Sequence, residues 1–146
     1  MIKICFICHG NICRSPMAEF IMKQKVKELN LENIFYITSK ATSTEEIGND
    51  IHYGTKRKLD EHNIPYTRHY ASQVKKEDYE NFDYFICMDD NNVRNLSYIF
   101  DDPSNKVYKL LENDIADPWY TGNFDITYKD VEEGCRKFLE YILKEK

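Results

Sequence analysis

Apolar positions along this chain follow two periods that take turns. Four short runs rich in β-branched and aromatic residues, Lys3–Cys8, Ile34–Ser39, Asp83–Met88 and Lys106–Leu111, read as strands. Between them the spacing lengthens to three and four. Ala18, Met22, Val26 and Leu29 form one such stripe behind Pro16, and Val93, Leu96 and Phe100 another behind the polar start Asp89-Asp90-Asn91-Asn92. Val131, Cys135, Phe138 and Ile142 mark a C-terminal helix. Residues 52 to 62 and 75 to 82 are expected to be helical as well. Strands alternating with helices need crossover connections, so the sheet is parallel and covered on both faces. Right-handed crossovers then predict a doubly wound α/β fold, a four-stranded parallel sheet in the order 2-1-3-4 with helices on both faces.

Length and composition narrow the function. A chain of 146 residues is expected to form a single domain, 1–146, with a real core. Its longest apolar runs are only a few residues, so neither membrane association nor a targeting peptide is expected. Five cysteines, an odd number without a disulfide-like spacing, suit a reducing cytoplasm. A net charge of −5 with no basic patch argues against nucleic acid as a partner.

In a doubly wound sheet, ligands bind beyond the carboxyl ends of the strands at the switch point. The first strand ends there on Cys8, and the chain continues His9-Gly10-Asn11-Ile12-Cys13-Arg14-Ser15 before Pro16. Of the five cysteines only Cys8 has an arginine six places on that is followed by a hydroxyl residue. A thiol, a bend of backbone N–H groups, a fixed cation and a helix N-terminus thus converge, which is what holding a phosphate against a nucleophilic sulfur requires. A helix N-terminus and an arginine favour the thiolate over the thiol. Gly10 is free to take positive φ and leaves room for an anion, Asn11 tolerates the left-handed region, and Arg14 offers a planar fork for two phosphate oxygens. Ser15 suits an N-cap with Pro16 as first helical residue, or its hydroxyl donates to the Cys8 sulfur.

Other motifs overlap this segment. Cys5-Phe6-Ile7-Cys8-His9 spells a haem-attachment pattern, and Cys5 with Cys8 a dithiol pattern. Residues three apart in a strand point to opposite faces, which is poor geometry for both. A zinc site from Cys5, Cys8, His9 and Cys13 matches no common spacing, so no metal and no cofactor are expected. For the proton that a departing oxygen needs, Asp114-Ile115-Ala116-Asp117-Pro118-Trp119-Tyr120 offers Asp117, stiffened by Pro118, with Asp114 and Glu112 as rivals. Trp119 and Tyr120 would wall a slot for a flat aromatic group.

With these residues in view, the chain resembles the low-molecular-weight protein tyrosine phosphatases. Residues 8 to 15 match the family's C-x-G-N-x-C-R-S loop at every fixed position. Further matches run in order along the chain: Ala41-Thr42-Ser43, Glu46-Ile47-Gly48-Asn49, His62 to Pro65, Lys76-Glu77-Asp78, Phe82-Asp83-Tyr84, Cys87-Met88-Asp89 and Asp117-Pro118. The resemblance implies that Cys8 is the nucleophile, that Arg14 and the loop from His9 to Ser15 bind phosphate, and that Asp117 is the general acid. It implies that Asn11 and Ser43 hold the loop's shape, that Ser15 partners the thiolate, and that Cys13 forms a reversible disulfide with Cys8 under peroxide. His9 and Ile12 would line the substrate slot with Trp119 and Tyr120, which stand where many members carry two tyrosines. Ser72 replaces an arginine of some relatives, and His69 matches a family histidine.

The reaction so implied is metal-free hydrolysis of phosphotyrosine by double displacement through phosphocysteine. Its partners are tyrosine-phosphorylated proteins, with inorganic phosphate as product, and the protein itself is expected to be a monomer or weak dimer. Two alternatives share the fold or the loop. A thioredoxin-coupled arsenate reductase needs two further cysteines close together in a mobile downstream segment, whereas Cys87 and Cys135 lie 48 residues apart in a strand and a helix. A non-catalytic phosphate-binding adaptor would be expected to lack the acid or the nucleophile.

Overall fold

The computed structural model describes residues 1–145. Four parallel strands, β1 (Ile2–Cys8), β2 (Phe35–Ala41), β3 (Tyr84–Cys87) and β4 (Val107–Lys109), form one sheet in the order β2-β1-β3-β4. The helices are α1 (Arg14–Glu28), α2 (Tyr53–Glu61), α3 (Asp90–Ser97), α4 (Pro118–Thr121) and α5 (Phe124–Glu145). This is the expected doubly wound arrangement.

Alternation along β1 divides the core. Ile4, Phe6 and Cys8 face a layer that buries Met17, Ile21 and Met22 of α1, Leu59 of α2, and Val131, Cys135 and Ile142 of α5. Cys5 and Ile7 face the other layer, with Val74, Tyr79, Leu96 and Phe100. Both faces are covered, which is why β1 and β3 read as continuous apolar runs. Fully burying a side chain such as Phe6 or Phe85 contributes about 1.5–3 kcal/mol. Cys5 and Cys8 lie in different layers, so the dithiol and haem geometries do not arise. Among the described residues no group of three or more His, Cys, Asp or Glu is placed to hold a metal ion, and no helix is long and apolar enough to cross a membrane.

Some elements differ from expectation. The segment expected to be helical over 75–82 is a 3-10 turn, Lys76–Asn81. Asp78 caps it by accepting from the Lys75 N–H at 2.8 Å, and the extended residue Phe82 ends it before an α-helix develops. The edge strand β4 is three residues, not six, because the chain leaves the sheet to bury Leu110 against α5. That approach depends on Gly134, where an added Cβ would lie 2.4 Å from Leu110 Cγ. In α1 every residue from Arg14 to Met22 is buried, a wider face than one stripe, while Leu29 lies past the helix end and is exposed.

The topology sends β1, β3 and β4 to one rim. Cys8 ends β1 and Asp89 caps α3 immediately after β3. The loop after β4 returns beside them, its Ile115 N–H donating to the Met88 carbonyl at 2.9 Å.

Candidate active site

The loop between β1 and α1 is fixed by contacts that the sequence places far apart. Asn11 is the residue that takes positive φ, at 61°, and Gly10 does not. A short amide that bonds locally makes the left-handed turn tolerable, so the expected freedom of Gly10 is not used. The Asn11 side chain is saturated: Nδ2 donates to Ser15 Oγ at 2.8 Å and Ser39 Oγ at 2.9 Å, while Oδ1 accepts from the Ser72 N–H at 3.1 Å. His69 Nε2 lies 2.8 Å from the Asn11 carbonyl and 3.1 Å from Oδ1, both acceptors, so that nitrogen carries the proton. Ser43 is not a partner of Asn11. Its hydroxyl braces the His9 carbonyl at 2.8 Å, and Ser39 takes the Asn11 contact because it occupies the inward parity of β2.

Cys8 sits at the floor, 3% exposed. Its sulfur lies 3.0 Å from Ser15 Oγ and 3.2 Å from the Asn11 N–H. Since Asn11 already donates to Ser15, the Ser15 hydroxyl proton is left for the sulfur. Of the two roles open to Ser15, the structure takes this one: α1 begins at Arg14, Cys13 is the cap residue and no side chain caps the helix. The first N–H groups of such a helix lack intrahelical acceptors and favour an anion.

Arg14 is buried and held by three groups. Nη1 donates to Asp89 Oδ2 at 2.6 Å and to the Ile115 carbonyl at 2.9 Å, and Nη2 approaches Asp117 Oδ2 at 3.4 Å. Burial opposes its charge, but the Cys8 sulfur, Asp89 and Asp117 outweigh it and raise its pKa above the ordinary arginine value. Burial pushes up the thiols of Cys5, Cys13, Cys87 and Cys135; at Cys13 the neighbouring Cys8 and Asp117 add to the effect.

Asp117 caps α4, with Oδ1 accepting from the Trp119 N–H at 3.0 Å. Its loop is anchored on three sides: Ile115 is buried, Thr127 Oγ donates to the Ala116 carbonyl at 2.9 Å, and Asp114 binds Lys109 at 2.8 Å and the Asp90 N–H at 3.0 Å. Asp114 is therefore a structural tie, and Glu112 lies outside the residues that line the cavity. That cavity, about 290 Å³, runs between the residues from Cys8 to Arg14 and Asp117, with Trp119 and Tyr120 on one wall and Glu45 and Glu46 on another. His9 pairs with Glu45 at its mouth.

His52 carries no sequence motif, yet it joins the loop to the wall. Its N–H donates to the Ile12 carbonyl at 2.8 Å. Its ring stacks on Phe124 at 5.2 Å and meets the Trp119 ring edge-on at 5.7 Å. Gly54 makes the stack possible, since a Cβ there would lie 2.4 Å from Phe124 Cζ. Burial lowers the His52 pKa against the opposing pull of Glu46, which suits Nδ1 accepting from the Gly54 N–H at 3.0 Å.

Ser39 and Glu19 carry no motif yet also bear on the site, and Asp89, part of the Cys87-Met88-Asp89 match, is the residue that holds Arg14. The signal for Ser39 and Glu19 was present: each is a polar residue on an otherwise apolar face, Ser39 among Phe35, Ile37 and Ala41, Glu19 among the buried first turns of α1.

Known proteins share this sequence pattern and fold. A low molecular weight protein-tyrosine-phosphatase PtpA from Staphylococcus saprophyticus is 40% identical, over 99% of this chain and 96% of that protein. The structure superposes on a low molecular weight protein tyrosine phosphatase from Streptococcus pyogenes with a TM-score of 0.90 and 43% identity, covering 97% of this chain and 93% of the other. YfkJ from Bacillus subtilis gives a TM-score of 0.96 at 36% identity, covering 100% and 97%. The sequence model of the low molecular weight phosphotyrosine protein phosphatases matches residues 3–146, and the chain belongs to that family.

Proposed function

We propose that this protein hydrolyses phosphotyrosine monoesters through a phosphocysteine intermediate on Cys8. The observation that carries the reading is the convergence on one cavity of the Cys8 sulfur, the Arg14 guanidinium and the Asp117 carboxyl, walled by Trp119 and Tyr120. In the first step the thiolate attacks phosphorus and the S–P bond forms as the P–O bond to the phenol breaks. Asp117 gives its proton to the departing oxygen. Arg14 and the loop N–H groups hold the equatorial oxygens, where charge is greatest. In the second step Asp117 takes a proton from water, the oxygen attacks phosphorus, and the S–P bond breaks to release inorganic phosphate. Ser15 steadies the sulfur as attacking and as leaving group.

The alternatives find less support. Cys87 and Cys135 are fully buried in β3 and α5, unsuited to relaying an arsenate-linked disulfide. Both nucleophile and acid are present, unlike in an adaptor. The five free cysteines support a reducing, cytoplasmic setting.

The test is turnover of a phosphotyrosine peptide and of nitrophenyl phosphate, beside arsenate with thioredoxin. Aryl phosphate hydrolysis that vanishes in Cys8→Ser, with a phosphorylated Cys8 peptide trapped by acid quench, is expected. Arsenate-dependent oxidation of thioredoxin without phosphate release would sink the proposal.

A further inference from the structure

Trp119 is the only tryptophan of the chain, and it lines the cavity although 56% of it is exposed. It rides on α4, a single turn held between the Asp117 cap and Gly122, which takes φ 71°. That turn fixes its backbone and leaves the indole to be placed by contacts. Among the described residues one ring is paired with it, the imidazole of His52.

The imidazole is itself locked. The His52 N–H donates to the Ile12 carbonyl at 2.8 Å, and Nδ1 accepts from the Gly54 N–H at 3.0 Å, so in the neutral ring Nε2 carries the proton. Tyr53 stacks on the ring at 4.4 Å and Phe124 at 5.2 Å, with interplanar angles of 28° and 19°. These two rings are not paired with each other, so they cover its opposite faces. Only the edge remains for Trp119, whose ring lies at 80° to it. An aromatic edge is positive and an aromatic face negative, so the contact is attractive and directional. Four parts of the site meet at this one ring: the phosphate loop through Ile12, α2 at its cap, α5 through Phe124 and α4 through Trp119.

We propose that His52 is a positioning residue that sets specificity for aryl phosphates by holding the Trp119 indole as a preformed wall of the slot. The idea deepens the proposed function and rests on its aryl slot. An indole already in place loses little freedom when an aryl group enters, whereas an unpaired one has to be ordered at that moment. The effect is selective. Binding of the aryl group depends on His52, and binding of the phosphoryl group to the loop does not.

Substitutions separate the ring of His52 from its capping nitrogen. His52→Asn and His52→Ser keep a capping acceptor for the Gly54 N–H and have no ring, while His52→Phe keeps a ring edge and loses the acceptor. The test is calorimetric binding of benzylphosphonate, an unreactive mimic of the phosphotyrosine head, against methylphosphonate, which lacks the ring. It is run on wild type, the three variants, Trp119→Ala and the His52→Asn/Trp119→Ala pair, with thermal melts and the emission spectrum of Trp119. His52→Asn and His52→Ser are expected to bind benzylphosphonate roughly two- to tenfold more weakly, the effect of one edge-to-face ring pair, with methylphosphonate affinity unchanged and the indole emission shifted to the red. His52→Phe should melt lower yet keep most of the benzylphosphonate affinity. In the Trp119→Ala background His52→Asn should add no further loss. Wild-type benzylphosphonate affinity in whichever ringless variant folds would overturn the proposal. So would equal losses for the two phosphonates, the mark of a disturbed loop, or a His52→Phe variant as weak as the ringless ones. Binding needs no turnover, so a wild type that prefers benzylphosphonate yet hydrolyses no aryl phosphate refutes the phosphatase reading, while the variants still decide the role of His52. A wild type with no preference between the phosphonates has no aryl slot, and the proposal fails with it.

Discussion

The guanidinium of Arg14 and the carboxylate of Asp89 form a near-buried pair at 2.6 Å, joining the start of α1 to the cap of α3. The same nitrogen reaches the Ile115 carbonyl, so one arginine is tied both to the helix beside it and to the loop that bears Asp117. A fork held in this way meets phosphate without first being ordered, which is the condition for electrostatic stabilisation without reorganisation.

Arg14→Lys keeps the charge but not the planar fork, and kcat/KM for nitrophenyl phosphate is expected to fall roughly 100-fold or more. Asp89→Asn keeps a weaker acceptor and should cost about tenfold, with weaker inhibition by inorganic phosphate. Steady-state kinetics with phosphate inhibition checks both. Wild-type affinity for phosphate in Asp89→Asn would show that the pair does not orient the arginine.

Asp117→Asn removes the proposed proton source while leaving the loop anchored by Ile115, Asp114 and the Thr127 contact to Ala116. The loss should be about 100-fold or more for phenyl phosphate, whose leaving group needs protonation, and far smaller for nitrophenyl phosphate. Equal losses on the two esters would remove Asp117 from the acid role.

Trp119 is half exposed, and its ring meets His52 edge-on. Replacing it with alanine strips the wall of the slot, so KM for phosphotyrosine peptides should rise several-fold, in keeping with roughly 0.5–1.5 kcal/mol for an aromatic contact. A kcat nearly unchanged would place the residue in binding alone.

Gly134→Ala sets a methyl against buried Leu110 at the junction of α5 and the end of β4. Overpacking there is expected to destabilise the protein by about 1–3 kcal/mol in urea titration, despite the higher helix propensity of alanine. A more stable variant would mean that Leu110 has room to move.

Asp50 links α2 to the segment that carries His69. Burial pushes its pKa up, but Lys56, the His69 and Ile51 N–H groups and Arg68 outweigh burial and hold it well below the ordinary carboxylate value. A carboxyl whose pKa is depressed by folding stabilises the folded state above its unfolded pKa, and that contribution fades as pH falls toward the folded value. Asp50→Asn should therefore lower Tm by about 2–4 °C at neutral pH and by progressively less below pH ~4. A deficit independent of pH would assign the effect to packing.

Much of the site was legible because its chemistry is local. Cys8, Asn11, Arg14 and Ser15 fall within eight consecutive residues at the end of a strand, and strand parity separated Cys5 from Cys8. The alternation of periods favoured a doubly wound order such as the observed 2-1-3-4, since a parallel α/β chain has few right-handed ways to cross over. Element ends were less legible. The extent of β4 is decided by Leu110 packing on α5, and the 3-10 turn at Lys76–Asn81 by the residues that cap and end it.

The sequence by itself determined the fold and singled out the proposed nucleophile and phosphate loop at the end of its first strand, because turn chemistry and periodicity act between neighbours. Only the tertiary structure decided what holds those groups in place. Asp89 and the Ile115 carbonyl reach Arg14 across 75 and 101 residues, Ser39 rather than Ser43 meets Asn11, and His52 bridges the loop to Trp119. Hydrogen bonds and ring contacts act over a few ångströms in space, and no spacing along the chain records which distant partner will close that gap.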